Sequence, residues 1–126
     1  MTESMDEIIA GLGKGGVFEV TTTGRKSGEA RRLEIGYHVI DGRLYISDMP
    51  MPRRRAWLAN LDADPTFTLH LRTPAAKDVT AKARIIDTDA ERRSVMPHIA
   101  RNWGRKDIDT MVRQSPLIEV EIGSPD

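Results

Sequence analysis

The chain has 126 residues, 39% of them hydrophobic and 30% charged, enough for one domain with a real core and too few for two. Nineteen basic and nineteen acidic side chains cancel, so the molecule as a whole is no polyanion binder. The absence of cysteine removes disulfides, thiolate zinc sites and cysteine nucleophiles together. It fits a reducing cytoplasm, the expected location. The acidic N-terminus does not read as a signal peptide, and no apolar run approaches the ~20 residues that a membrane-crossing helix needs.

In chain order, residues 4–12 suit a short helix that Gly11, Gly13, Gly15 and Gly16 end, so 1–16 reads as a flexible lead-in and 17–126 as one domain. Val17 to Thr23 is a strand. From Arg32 to Ile40 a second strand alternates Leu33, Ile35, Tyr37 and Val39 with polar or small residues. Asp41-Gly42 is a hairpin turn that returns the chain through Leu44-Tyr45-Ile46. Pro50 and Pro52 then break the ladder, and Arg53 to Leu61 takes a helical period, followed by a turn over Asp62 to Pro65. Thr66–Arg72 and Val79–Asp87 alternate again and pair across Pro74-Ala75-Ala76. Thr88 to Glu91 forms a capping box, opening a helix to about Trp103 that Pro97 bends. A short helix over Asp107–Gln114 and a strand over Leu117–Ile122 close the chain. The predicted class is mainly β (α+β), a small antiparallel barrel of about six strands with short helices inserted.

Thr21-Thr22-Thr23-Gly24-Arg25-Lys26-Ser27-Gly28 is the stretch richest in chemistry. A β-branched run stops at a glycine, and two cations and a hydroxyl follow before a second glycine. Such a loop offers an anion positive side chains, a hydroxyl and backbone N–H groups. A solvated hairpin loop has the same composition, and the octet alone leaves both readings open. Arg31, Arg32 and the block Arg53-Arg54-Arg55 add positive patches to a neutral protein, a pattern suited to a small anionic ligand rather than a nucleic-acid groove. His38, His70 and His98 have no metal-ligand spacing, so no metal is expected. No nucleophile motif supports hydrolysis.

Three features together resemble the deazaflavin (F420)-dependent nitroreductase family of the split-barrel flavin and deazaflavin oxidoreductases, over residues 17–122. They are the basic octet with Arg31 behind it; Ser47 ten positions before Trp57-Leu58-Ala59-Asn60-Leu61-Asp62-Ala63-Asp64-Pro65; and the ending from Thr80 through the capping box to Ser115-Pro116-Leu117-Ile118. The resemblance implies a split antiparallel β-barrel that binds coenzyme F420, with FMN as the alternative cofactor. It implies tail and ring-edge contacts at Arg25, Lys26, Ser27 and Arg31, and a ring lined by Ser47 with its neighbours Ile46 and Asp48. Trp57 and Asn60 then anchor the helix behind the ring. Between Ser47 and Trp57 the chain departs from the family pattern, placing an acid, Asp48, before two prolines and the arginines. Arg53, Arg54 and Arg55 are expected to restore the positive charge.

The implied activity is hydride transfer from reduced F420 to an electron-poor small molecule: a quinone, an activated alkene or a nitroaromatic. Nitroreductase-active relatives carry tyrosines in the stretch that matches 98–114, where this chain has none and offers Trp103 and Met111, which disfavours nitro reduction. No residue is assigned as catalytic; Tyr37, His38 or solvent supplies the proton that follows the hydride. The competing readings are an FMN-binding split-barrel protein and a non-catalytic binder of an anionic ligand. Expected partners are the small-molecule acceptor alone, with no nucleic acid and no stable membrane insertion, in a monomer or a homodimer.

Overall fold

The computed structural model describes residues 5–13, 15–51, 55–71 and 77–122. Helix α1 (Met5–Leu12) precedes strand β1 (Gly15–Thr23), β2 (Ala30–Ile40) and β3 (Arg43–Ser47). Helix α2 (Ala56–Ala63) leads to β4 (Thr66–Leu71) and β5 (Lys77–Ile85), then α3 (Asp89–Trp103), α4 (Ile108–Gln114) and β6 (Leu117–Ile122). The strands close into an antiparallel barrel in the order β1-β2-β3-β6-β5-β4, with β4 returning to β1. Closure removes the exposed sheet edges that an open sheet of this length would present. The predicted six-stranded class and the β4–β5 pairing are both found, although the connecting residues 72–76 lie outside those described.

Local chemistry explains most of these elements. The β2–β3 turn has φ of 52° at Asp41 and 74° at Gly42, the positive pair that a two-residue hairpin needs to match strand twist. Helix α2 runs through Asp62 and Ala63, into the first half of the predicted turn, and Asp64 N–H then bonds the Asn60 carbonyl. Helix α3 continues through Pro97. Its N-cap is half of the predicted capping box: Glu91 N–H donates to Thr88 Oγ1 at 3.4 Å. The Glu91 carboxylate turns to Arg84 instead, taking guanidinium bonds of 3.0 and 2.5 Å. Arg84 also reaches Glu119 at 2.6 Å, so one guanidinium ties α3 to β5 and β6.

Two apolar clusters hold the domain. The first fills the barrel, where Phe18 and Tyr37 stack at 4.5 Å, and takes in Trp57 and Leu61 of α2 and Ile8 and Ile9 of α1. The segment read as a lead-in therefore contributes core residues, and β1 begins at Gly15 rather than Val17. The second cluster lies between α3, α4 and the other face of β3 and β6, around Tyr45, Met96, Ile99, Met111 and Leu117. Arg92 closes it by donating to the carbonyls of Val112 (2.6 Å), Ile86 (2.8 Å), Met111 (3.3 Å) and Ser115, which caps the end of α4.

His38 joins β2 to the end of α3. It is 3% exposed, Asn102 Nδ2 donates to its Nδ1 at 3.0 Å, and the Trp103 ring stands edge-on to it at 4.9 Å. Burial lowers its pKa to about 4. An unfolded histidine titrates near 6.5. Between those values the unfolded chain binds the proton more readily, so this contribution to stability is whole above about pH 6.5 and is lost as pH falls towards 4. Urea unfolding from pH 7 to 4.5 should cost the wild type about 2–3 kcal/mol more than His38→Gln, which can still accept from Asn102. Parallel pH profiles for the two proteins would contradict this.

Candidate functional site

Beside β1, β2 and α2 lies a cleft of about 880 Å³. Among the described residues, five cations line it, Arg25, Lys26, Arg31, Arg32 and Arg55, against one carboxylate, Asp48. Leu33, Met51, Ala56 and Trp57 supply apolar wall. The cleft therefore combines a strongly positive surface with an apolar one, a pairing that suits a ligand with an anionic tail and an apolar body.

The β1–β2 loop is a closed turn. Gly24 N–H donates to the Glu29 carbonyl and Gly28 N–H to the Gly24 carbonyl, each at 2.8 Å. Residue 24 is crowded: a Cβ there would sit 3.0 Å from Ser27 Oγ and 3.2 Å from the Glu29 carbonyl, so glycine suits the position. Ser27 Oγ accepts the Glu29 N–H at 3.1 Å, which leaves its own proton to donate. The backbone N–H groups of Lys26 and Ser27 have no partner among the described residues. Such adjacent free N–H groups form a small anion-binding concavity.

The cations differ in freedom. Lys26 has no ion pair among the described residues, and Arg31 has only a loose one, 3.8 Å from Glu29. Arg32 is held by Glu19 at 2.6 Å. Arg25 is engaged by Asn60 of α2: Asn60 Oδ1 accepts from the Arg25 backbone N–H at 3.2 Å and from its guanidinium at 3.1 Å. Asn60 and Trp57 are both buried on α2, and the Trp57 indole N–H has no partner among the described residues.

Asp48 is not a bare negative charge. Its carboxylate lies 3.3 Å from Arg55 Nε, close enough for an ion pair though off the line of a hydrogen bond, and accepts the Met49 N–H at 2.8 Å. Arg55 also donates to the Met49 carbonyl at 2.9 Å. The repulsion that its charge threatens for an anion is thus offset from within the segment. Arg53 and Arg54 lie outside the described residues.

Two expected ring-lining side chains are elsewhere. Ile46 is 1% exposed and packs in the barrel core, because alternation on β3 turns it inward. Ser47 is 1% exposed and its hydroxyl donates to the Pro116 carbonyl at 2.6 Å, joining β3 to the start of β6. Neither lines the cleft. Met111 is buried in the second cluster and is not a substrate-facing residue. Tyr37 and His38, the proton donors considered from the sequence, line a smaller cavity of about 410 Å³ with Gly16, Asn102 and Trp103. Tyr37 lies five positions along β2 from Arg32, about 16 Å of strand. Arg55, the last of the arginine block, lines the cleft, as do Thr22, whose inward position follows from strand alternation, and Leu33, which the sequence marked only as a strand residue.

This closed six-stranded antiparallel barrel with short helices is the split-barrel fold. The chain belongs to the F420H(2)-dependent quinone reductase family, whose model matches residues 4–124. It is an oxidoreductase that works with coenzyme F420. No curated protein matches it. Solved structures share its fold. A conserved hypothetical protein of Mycobacterium tuberculosis aligns with 98% of this chain and 83% of its own at 18% identity, with a TM-score of 0.69. An F420-H2 dependent reductase, FDR-A, aligns with 83% of this chain and 93% of its own at 20% identity and a TM-score of 0.59. A putative pyridoxamine 5'-phosphate oxidase of Listeria innocua covers 97% and 95%, at 15% identity and 0.64.

The Asp48–Arg55 pair gives a direct test of the cleft's electrostatics. Asp48→Asn keeps an acceptor for the Met49 N–H and releases Arg55. Stability should change by about 1 kcal/mol or less, as for exposed ion pairs. F420 affinity should rise about two- to fivefold at low salt, and the gain should fade as ionic strength screens the freed charge. Weaker binding in Asp48→Asn at all salt concentrations would show that Asp48 itself holds the ligand.

Proposed function

We propose that the cationic cleft is the F420 site and that the protein transfers hydride from reduced F420 to a quinone. The reading is carried by Lys26 and two adjacent backbone N–H groups, none with a partner among the described residues, in a cleft that also presents Leu33, Met51, Ala56 and Trp57. The donor set fits the cofactor. Lys26, Arg31 and Ser27 offer charge and hydrogen bonds to a phosphate and a glutamate tail. Leu33, Met51 and Trp57 offer apolar surface to a planar ring.

Reduced deazaflavin, when bound, supplies the hydride. The chain's own residues bind and orient. The loop grips the tail and thereby fixes how far the ring extends along the apolar wall. Met51, 40% exposed at the rim, excludes water and adapts to a flat acceptor. Proton delivery falls to water. Tyr37 and His38 do not line the cleft, and burial pushes the Tyr37 phenol up and keeps His38 neutral. A quinone is favoured over a nitroaromatic as acceptor, because Met111 is buried and residues 98–114 hold no tyrosine.

Fluorescence titration of the wild type and Lys26→Ala with F420, with its chromophore lacking phosphate and glutamates, and with FMN tests the reading. Lys26→Ala should weaken F420 binding by about 1.5–3 kcal/mol and barely affect the chromophore, as expected for charge-assisted bonds to the tail. Equal losses for both ligands, or tight FMN binding with none for F420, would overturn it.

A further inference from the structure

The loop that carries Lys26 is not held by β1 and β2 alone. Asn60 lies 35 residues away in sequence, on the second turn of α2, and is 6% exposed. Its amide is directed at the loop and at the strand that leads into it. Oδ1 accepts both the backbone N–H and the guanidinium of Arg25, and Nδ2 donates to Thr22 Oγ1 at 3.4 Å. Thr22 is itself 2% exposed, so the bonds form where water does not compete freely. Arg25 is thereby drawn towards the helix, and its neighbour Lys26 is left without an ion pair among the described residues.

We propose that Asn60 is a positioning residue for the anionic tail of the cofactor. It acts through the backbone of residue 25, presetting the turn from Gly24 to Gly28 so that Lys26 and the free N–H groups converge before ligand arrives. Ordering a loop on binding costs conformational entropy, and a loop ordered in advance does not incur that cost. Arg25 is in this arrangement part of the scaffold, and Lys26 is the cation that meets the ligand. The inference rests on the reading of the cleft as the F420 site.

Amide hydrogen exchange and ligand titration together test it. In the ligand-free protein, Asn60→Ala should speed exchange of the Arg25 amide about tenfold or more while amides in the barrel core keep their protection. F420 binding should weaken about tenfold, and binding of the chromophore without phosphate and glutamates less than twofold. On a Lys26→Ala background the further loss from Asn60→Ala should fall below about threefold, because the two residues act as a unit. Should Asn60→Ala fail to fold, Thr22→Val, which preserves volume and removes one anchor of the amide, should show the same selective loss at about threefold. Equal loss for F420 and chromophore, or an undiminished loss on the Lys26→Ala background, would overturn the positioning role. A wild type that binds F420 no better than the chromophore would instead overturn the reading of the cleft and leave the loop geometry standing.

Discussion

The seating of α2 against the barrel governs everything built beside it. Trp57 and Leu61 enter the same apolar cluster as Phe18, Val20 and Ile35, so the helix cannot shift without opening the core. Burial of Trp57 and Leu61 contributes about 1.5–3 kcal/mol for each side chain. That apolar hold brings Asn60 within reach of Thr22 and Arg25, and so couples the helix to the β1–β2 loop. A closed barrel has no free edge on which to bind a ligand by adding a strand. Recognition falls to the loop, the helix and the segment entering it.

Charge in this protein is arranged locally. Most of its arginines answer internal partners: Arg84 joins α3 to two strands, Arg92 caps α4, and Arg32 lies across from Glu19. In the cleft, Lys26 has no ion pair among the described residues and Arg31 only a loose one, and Asp48, the one acid among the described lining residues, is met by Arg55. A neutral molecule can therefore present a strongly positive pocket. The positive field is a property of placement, which total charge does not report.

What was legible in the sequence was local. Asp41-Gly42 announces its turn because both residues must take positive φ, and β2 announces its faces because the side-chain period of a strand is two. Thr88 marks a helix start, but Glu91 obeys Arg84, a strand residue, rather than the helix backbone. The family motif drew attention to Ser47, whose hydroxyl is fixed by the Pro116 carbonyl just before β6, 69 residues away. Long-range pairings of this kind decide what a polar side chain is free to do, and no window of neighbouring residues contains them. Asn60 illustrates the same limit: its motif position was plain, while its grip on Arg25 exists only once the barrel has brought α2 beside the loop.

The two tryptophans stand at separate places, Trp57 on the wall of the cationic cleft and Trp103 against His38 beside the smaller cavity. Each indole N–H gives its own signal in a nitrogen–proton correlation spectrum, so a single titration with F420 locates the ligand. The expected result is a large, saturable shift of the Trp57 indole signal together with the Lys26 and Ser27 amides, and a Trp103 signal that stays in place. Movement of Trp103 with Trp57 and the loop unchanged would contradict the assignment of the cationic cleft.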